Sequence, residues 1–403
     1  MLTAMAESAF RYFETESHPI TGLVRDYTVS HSPATIAGSG MALGSLIIGA
    51  ERGLMSRNDA AQRALRALNF LSTTRSSVNG FFYHFLDCET GERAGKCEVS
   101  TIDSALLFMG ALAASEYFDG ENDPENEIRQ VALNLYLRAD WMWMSPRAPV
   151  ISHGWTPEKG FLRYDWRGYN EALLLYILAL GSPTHAVSTA AYDEWIASYK
   201  WKSIYGKELL YAGPLFIHQM SHAWIDFRGI QDAFMRDRDS DYFENSRRAT
   251  YIQREYASRN PKRFSGYGEN CWGVSASAGP GQGKFHGYRA RGVPFGPDDG
   301  TISPLITAAS LPFAPEIVVP ALEHMWRSGN DSEAACSSSF NASFTTSSGA
   351  REWRASHTYA IDQGPVALMI ENHRTGLIWN LLKRSPYIRR GLERAGFNGG
   401  WLT

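Results

Sequence analysis

Tyr169-Asn170-Glu171-Ala172-Leu173-Leu174-Leu175-Tyr176-Ile177-Leu178-Ala179-Leu180 is the stretch that decides the fold class. From Ala172 onward it is apolar nearly all round, the mark of a helix buried on every side. Helical patterns continue outward in both directions. Downstream they recur at 190–199, Tyr242–Arg259, 315–327 and 388–395. Upstream, Asp123-Pro124-Glu125 is a strong start for a helix over 128–137. Ser100 or Thr101 opens another over 102–118. Ser56 with Asp59 forms a cap-like opening to 60–71, where Ala61, Ala64, Leu65, Leu68 and Leu71 share a face. Ser32-Pro33 caps a run rich in Ala, Gly and Leu towards Leu54, with Pro33 at the first helical position, and 4–13 is a short amphipathic start.

Strand signals are few. Residues 80–85 followed by 89–92 read as a small β-hairpin, and 160–164 as an extended piece. Residues 261–304 form a long loop with many Gly and Pro. It is also full of Tyr, Trp, Phe and Arg, which favours a functional loop over a disordered one. Ser337-Ser338-Ser339 and residues 345–348 make a polar patch too short to divide domains. With no linker or charge block, residues 1–403 are expected to form one all-α domain. Helical hairpins closed into a ring would fit. Periodicity alone does not separate a ring from a stacked solenoid, and no exact repeat supports the solenoid.

Composition narrows the function classes. The chain has 403 residues, 44% hydrophobic and 20% charged, with 39 Lys plus Arg against 42 Asp plus Glu, a net charge of -3. That balance argues against a basic nucleic-acid footprint and against disorder. Twelve Trp and 19 Tyr fill cores first, but such an excess also suits a cleft that stacks on flat, hydroxylated ligands. Cys88, Cys97, Cys271 and Cys336 are too few for a disulfide framework. Cys88 and Cys97 flank a short polar loop; they pair in an oxidising compartment or stay free and buried. No apolar run reaches the length of a membrane-spanning helix. The first 13 residues lack the basic start and apolar core of a signal peptide. A cytoplasmic location, or a periplasmic or secreted one after removal of a leader, both remain open.

Chemistry is sought where acids sit among aromatic and apolar residues. Asp103 lies in the first turn of an apolar helix with Glu98 just ahead of it, a place the helix dipole favours; capping alone would also explain it. Glu171 opens the buried helix, where a carboxyl must be paired or kept protonated. A raised pKa is what a general acid needs near neutral pH, though a buried polar network would use the same residue. Asp362, in Asp362-Gln363-Gly364-Pro365, precedes an apolar stretch and reads either as functional or as an N-cap or turn aspartate. Two carboxylates across a sugar linkage are the minimum apparatus of most glycoside hydrolases. Other motifs are weaker. His218 and His222 stand at i and i+4, but no HExxH or third ligand accompanies them. Gly266-Tyr267-Gly268 lacks a strand–turn–helix frame, Asp298-Asp299-Gly300 lacks EF-hand spacing, and no GxSxG elbow is present. Neither metal nor cofactor is expected.

Eight segments, in order along the chain, resemble the bacterial glycoamylase-like domain family, which includes β-1,2-glucan hydrolases: TIDSALLFMGAL (101–112), YNEALLLYILALGSPTH (169–185), PLFIHQMSHAWIDFRG (214–229), DYFENSRRAT (241–250), GYGENCWGVSAS (266–277), PDDGTISP (297–304), SLPFAPE (310–316) and IDQGPVALMIENHRTGLIW (361–379). The resemblance implies a single (α/α)6 toroid with a cleft at one mouth, carrying a small β-hairpin and long cleft-lining loops. It also implies a monomer acting on an oligo- or polysaccharide. Carried over residue by residue, it makes Glu171 the candidate general acid and Asp362 the candidate base, with Asp103 binding substrate or tuning a pKa. Substrate contacts are expected from Glu98, Trp166, Tyr169, His218, Trp224, Asp226, Arg228, Trp272 and Asp299, with at least two of Trp166, Tyr169, Trp224 and Trp272 as sugar-stacking platforms and core packing as the alternative for each. Two departures are modest: Ser104 stands where Thr is more familiar, and Trp141-Met142-Trp143-Met144 is unusual and reads as core. The resemblance points first to hydrolysis of β-1,2-glucan. An exo-acting α-glucan hydrolase or a transglycosylase is the alternative within that class. A glucan-binding protein without catalysis is the alternative outside it, disfavoured because all three candidate acids are present.

Overall fold

The computed structural model describes residues 1–281, 287–328, 338–344 and 352–403. Cys336, Ser337 and residues 345–348 lie outside them. The described helices, in order, are α1 (Leu2–Glu16), α2 (Ile36–Glu51), α3 (Arg57–Thr73), α4 (Thr101–Tyr117), α5 (Asp123–Leu137), α6 (Leu173–Gly181), α7 (Ala190–Ile196), α8 (Ala233–Arg236), α9 (Tyr242–Arg259), α10 (Pro304–Ala309), α11 (Pro315–Ser328), α12 (Ala360–Arg374), α13 (Leu377–Arg384) and α14 (Pro386–Arg394). Strands are two to four residues long and form small, separate antiparallel sheets. The architecture is mostly helical.

Sequence chemistry explains the boundaries. Ser56 accepts from the Asp59 amide at 3.0 Å to open α3, Asn122 from Glu125 at 3.0 Å to open α5, and Asp241 from Glu244 at 2.7 Å to open α9. Asn260, with φ of 42°, ends α9 in the left-handed conformation. Two expectations shift. Pro33 is not the first helical residue: Ala34–Thr35 is a strand paired with Phe85–Leu86, and α2 starts only at Ile36. The hairpin also differs from the sequence reading. Asn79 and Gly80, with φ of 48° and 84°, form the turn between Ser77–Val78 and Phe81–Phe82. Asn-Gly suits the two positive φ values of a tight hairpin turn. That frees Phe85–Leu86 to reach across to Ala34–Thr35. Residues 261–303 carry no α-helix among those described.

The packing centres on α2, α4 and α12. Helix α2 lies against α4 and α12; α4 also meets α5, α6 and α13, and α12 meets α1 and α10. Closeness of α2 and α4 depends on glycine: a Cβ at Gly40 would sit 2.4 Å from the Leu106 carbonyl oxygen, and one at Gly110 would sit 2.1 Å from that of Gly40. One continuous apolar cluster draws on residues from Met5 to Phe397. Helix α6 is buried along its whole length. In the 141–144 run, Trp141 and Met144 are core, while Met142 is exposed. Cys88, Cys97 and Cys271 are free thiols, so the first two do not pair. No described helix is long and apolar enough to cross a membrane.

Candidate active site

A cavity of about 1520 Å³ opens where helix N-terminal ends converge. Asp103 stands in the first turn of α4 and Asp362 in the first turn of α12. Glu171 stands two residues ahead of α6, and Ile306 of α10 completes the floor. The strand pairing of Ala34–Thr35 with Phe85–Leu86 builds the opposite wall, which contributes Asp26, His84 and Phe85. Tyr288, Tyr359 and Phe216 supply aromatic faces. Asp103, Glu171 and Asp362 are far apart in sequence, so only the tertiary fold joins these acids.

On one wall, His84 sits between two carboxylates. Its Nδ1 lies 3.0 Å from Glu98 Oε1 and its Nε2 lies 3.5 Å from Asp103 Oδ1. Asp103 also receives the hydroxyl of Ser100, the N-cap of α4. Capping and cavity-facing roles therefore coexist in one residue. Burial disfavours a charged His84, but Asp103, Glu98 and Asp26 outweigh it and push the ring up to about 9. The hydrogen bond from His84, against burial, holds Glu98 below the usual carboxylate range. Asp26, almost buried, is pushed up to about 7 by burial, with His84 pulling down and Asp103 pushing up.

Two further carboxyls line the cavity with no cation pairing them among the described residues. Glu171 is held at the head of α6 by its neighbours: Asn170 Oδ1 accepts from the Ala172 amide at 3.0 Å, and the Ser221 hydroxyl donates to the Glu171 carbonyl at 3.2 Å. Burial pushes its carboxyl up to about 7, and Asp103 adds to the rise. Asp362 Oδ1 accepts from the Tyr288 hydroxyl at 2.8 Å, while its buried Oδ2 has no partner among the described residues. Burial pushes Asp362 up to about 7 as well, with Tyr288 pulling down and Asp26 pushing up. At neutral pH such carboxyls exchange protons readily, one as donor and one as acceptor, the pairing needed to split a glycosidic bond.

Four of the residues singled out from sequence therefore meet here: Glu98, Asp103, Glu171 and Asp362. The others lie elsewhere. Trp224 and Trp272 are fully buried, so no sugar can stack on them; their bulk and apolar area serve the core. Trp166 is also buried, stacked on His153 at 3.8 Å, and its indole donates to Thr101 Oγ1 at 2.9 Å, steadying the head of α4 from behind. Tyr169 packs on His218 at 5.1 Å rather than lining the cavity. His218 is buried too, pushed down to about 4 by its surroundings. Asp226 pairs with Arg228 at 2.7 Å and Lys383 at 2.6 Å, and Asp299 with the buried Arg291 at 2.6 Å. Both are structural ion pairs outside the cavity lining. Sequence reading missed Asp26, His84, Phe216, Tyr288 and Tyr359. No group of three or more His, Cys, Asp or Glu placed as metal ligands occurs among the described residues.

Comparison with known proteins gives consistent relatives. A family model described as "Putative glucoamylase" matches residues 163–386, and one described as a protein of unknown function matches residues 4–86. Among curated proteins, the chain is 27% identical to an exo β-1,2-glucooligosaccharide sophorohydrolase (non-reducing end) of Parabacteroides distasonis, over 98% of this chain and 57% of that protein. The chain thus spans a little over half the length of this relative. Among solved structures, a "putative glucoamylase" from Bacteroides uniformis is 33% identical with a TM-score of 0.90, covering 100% of this chain and 98% of that one. An endo-β-1,2-glucanase from Chitinophaga pinensis, in complex with sophorotriose and glucose, is 28% identical with a TM-score of 0.89, covering 100% and 98%.

Proposed function

The chain belongs to the family described as "Putative glucoamylase", and from that membership we propose that it is a glycoside hydrolase cleaving β-1,2-glucan. The observation that carries the proposal is the convergence of Asp103, Glu171 and Asp362 on one cavity, with two of the three pushed up to about 7 by burial. Glu171, kept protonated by its setting, donates to the leaving glycosidic oxygen. Asp362, a cavity-lining residue whose buried Oδ2 has no partner among the described residues, takes the proton of the attacking group. Burial does most to keep Glu171 protonated, and Asp103 beside it adds to the effect. The linkage preference is supported by the sophorohydrolase and the endo-β-1,2-glucanase, at 27% and 28% identity.

The same reading takes the whole chain as one catalytic domain, a monomeric (α/α)6 toroid. Support comes from the shared core cluster and from helix starts that gather at a single mouth. The loop over 261–303 is read as cleft-lining, since Ala276 and Tyr288 reach the cavity.

The test is digestion. Purified protein is incubated separately with linear β-1,2-glucan, starch and linear β-1,3-glucan, and products are resolved by chromatography. Release of sophorose or longer β-1,2-linked fragments from the first substrate alone is expected. Cleavage of starch only would move the protein to α-glucans, and binding of glucan without cleavage would reduce it to a lectin-like role.

A further inference from the structure

His84 stands outside the acid–base pair, yet its backbone and its ring are both held in place on the cavity wall. Its backbone amide donates to the Glu98 carbonyl at 2.8 Å, and its own carbonyl accepts from Ile36 at 3.2 Å, at the head of α2. Its ring stacks on Phe85 with centroids 4.0 Å apart. The ring cannot turn without losing that stack. Both ring nitrogens face carboxylate oxygens, at 3.0 Å and 3.5 Å. A neutral imidazole carries one N–H and one lone pair, so one nitrogen would then point a lone pair at a carboxylate. Protonation of both nitrogens removes that repulsion and satisfies both acids. The charged groups around the ring are Glu98, Asp103 and Asp26. All three are acidic, so the neighbourhood as a whole favours a cation.

We propose that His84 is a fixed cation in this cavity, a positioning residue that ties Glu98 to Asp103 and holds Asp103 as an anion facing the sugar-binding space. The proposal rests on the glycosidase reading for its consequence but not for its structural content. Burial is the main cause of the raised Glu171 carboxyl and Asp103 adds to it, so the charge state of Asp103 bears on the acid. A structural histidine would need only one hydrogen bond and could be neutral. This one acts through the charge state of its neighbour.

Two measurements test it. The first uses the full chain labelled with ¹⁵N-histidine, with the His84 signals assigned by their loss in His84→Gln. Both ring nitrogens should show the protonated shift at pH 7 and keep it to about pH 8. A neutral tautomer at pH 7, with the proton on Glu98 or Asp103 instead, overturns the proposal even if β-1,2-glucan is cleaved as expected. The second is a double-mutant cycle on turnover. His84→Gln and Asp103→Asn should each lower kcat by about 10²-fold, and the double variant should lose no more than Asp103→Asn alone. His84→Lys should recover part of the loss by restoring charge. Losses that multiply in the double variant, or equal activity of the Gln and Lys variants, overturn the idea that His84 acts through Asp103. If His84→Gln fails to fold, the loss of signals in His84→Lys supplies the assignment and the wild-type ring signals still decide the question.

Discussion

Asp232 and Asp362 begin alike and end differently. Both are buried aspartates at the start of a helix, and both accept a tyrosine hydroxyl. Asp232 takes the hydroxyls of Tyr192 and Tyr242 on one oxygen, each at 2.8 Å, and the Met235 amide on the other at 2.9 Å. Every carboxylate oxygen is used, so the group is inert and anchors the α7–α9 region. Asp362 takes Tyr288 at 2.8 Å on one oxygen, while its second oxygen, also buried, has no partner among the described residues although the residue lines the cavity. A buried, unpartnered oxygen is destabilising by itself. Where such a residue lines a cavity, a ligand or water entering it can supply the missing partner. Burial of an acid is therefore no sign of function; incomplete satisfaction beside a cavity is.

The largest expected effects separate these two settings. Glu171→Gln and Asp362→Asn should each lower kcat on β-1,2-glucan by about 10²–10⁴-fold, with circular dichroism close to wild type and Tm no lower. For Glu171→Gln, a substrate with an already acidic leaving group should recover much of the loss. Asp232→Asn should do the reverse: turnover per folded molecule stays, while urea denaturation shows a loss of about 1–3 kcal/mol. Equal damage to activity from all three would erase the distinction.

The aromatic residues extend the contrast. Trp224→Ala and Trp272→Ala should destabilise by about 3–5 kcal/mol, because each empties a fully buried site. Phe216→Ala, on the cavity wall, should raise KM for glucan while Tm moves little. Calorimetry beside Michaelis kinetics checks both directions.

A smaller effect concerns stability against pH. The folded Glu171 and Asp362 hold their protons to about 7, above their ordinary values of 4.5 and 3.8. The folded state then binds more protons than the unfolded chain between about pH 4 and pH 7, so stability falls as pH rises through that window. Glu171→Gln and Asp362→Asn remove the buried charge. Their Tm should exceed that of wild type at about pH 8, with the gap closing near pH 4. The smallest expected effect is none: activity should survive exhaustive chelation, as the two-carboxylate mechanism needs no ion. Loss with EDTA, restored by zinc or calcium, would break that part of the account.

Much of this was legible from local pattern. The all-round apolar run after Glu171 marks α6, and Ser100 with Asp103 marks the head of α4, because helix caps and periodicity are short-range signals. The three acids were visible for the same reason: each stands at a helix start. Their convergence was implied only by resemblance to a family. His84 and Asp26 were not legible at all. His84 owes its position to the pairing of residues 34–35 with 85–86, and Asp26 to the bridge of Arg25 with Ala34 on the same strand, contacts that no local periodicity reports. The tryptophans were misplaced because an indole beside polar residues in sequence is not thereby beside them in space. Trp224 and Trp272 turn their large apolar area inward.

The most direct test of the central claim is the pH dependence of kcat/KM on linear β-1,2-glucan. Glu171 must be protonated and Asp362 ionised, and both titrate at about 7. The account predicts a narrow bell centred near neutrality, falling on the alkaline side as Glu171 loses its proton and on the acid side as Asp362 gains one. In the residual activity, Glu171→Gln should abolish the alkaline limb and Asp362→Asn the acid limb. A profile flat from about pH 5 to pH 9, or limbs that stay in place in both variants, would contradict the assignment.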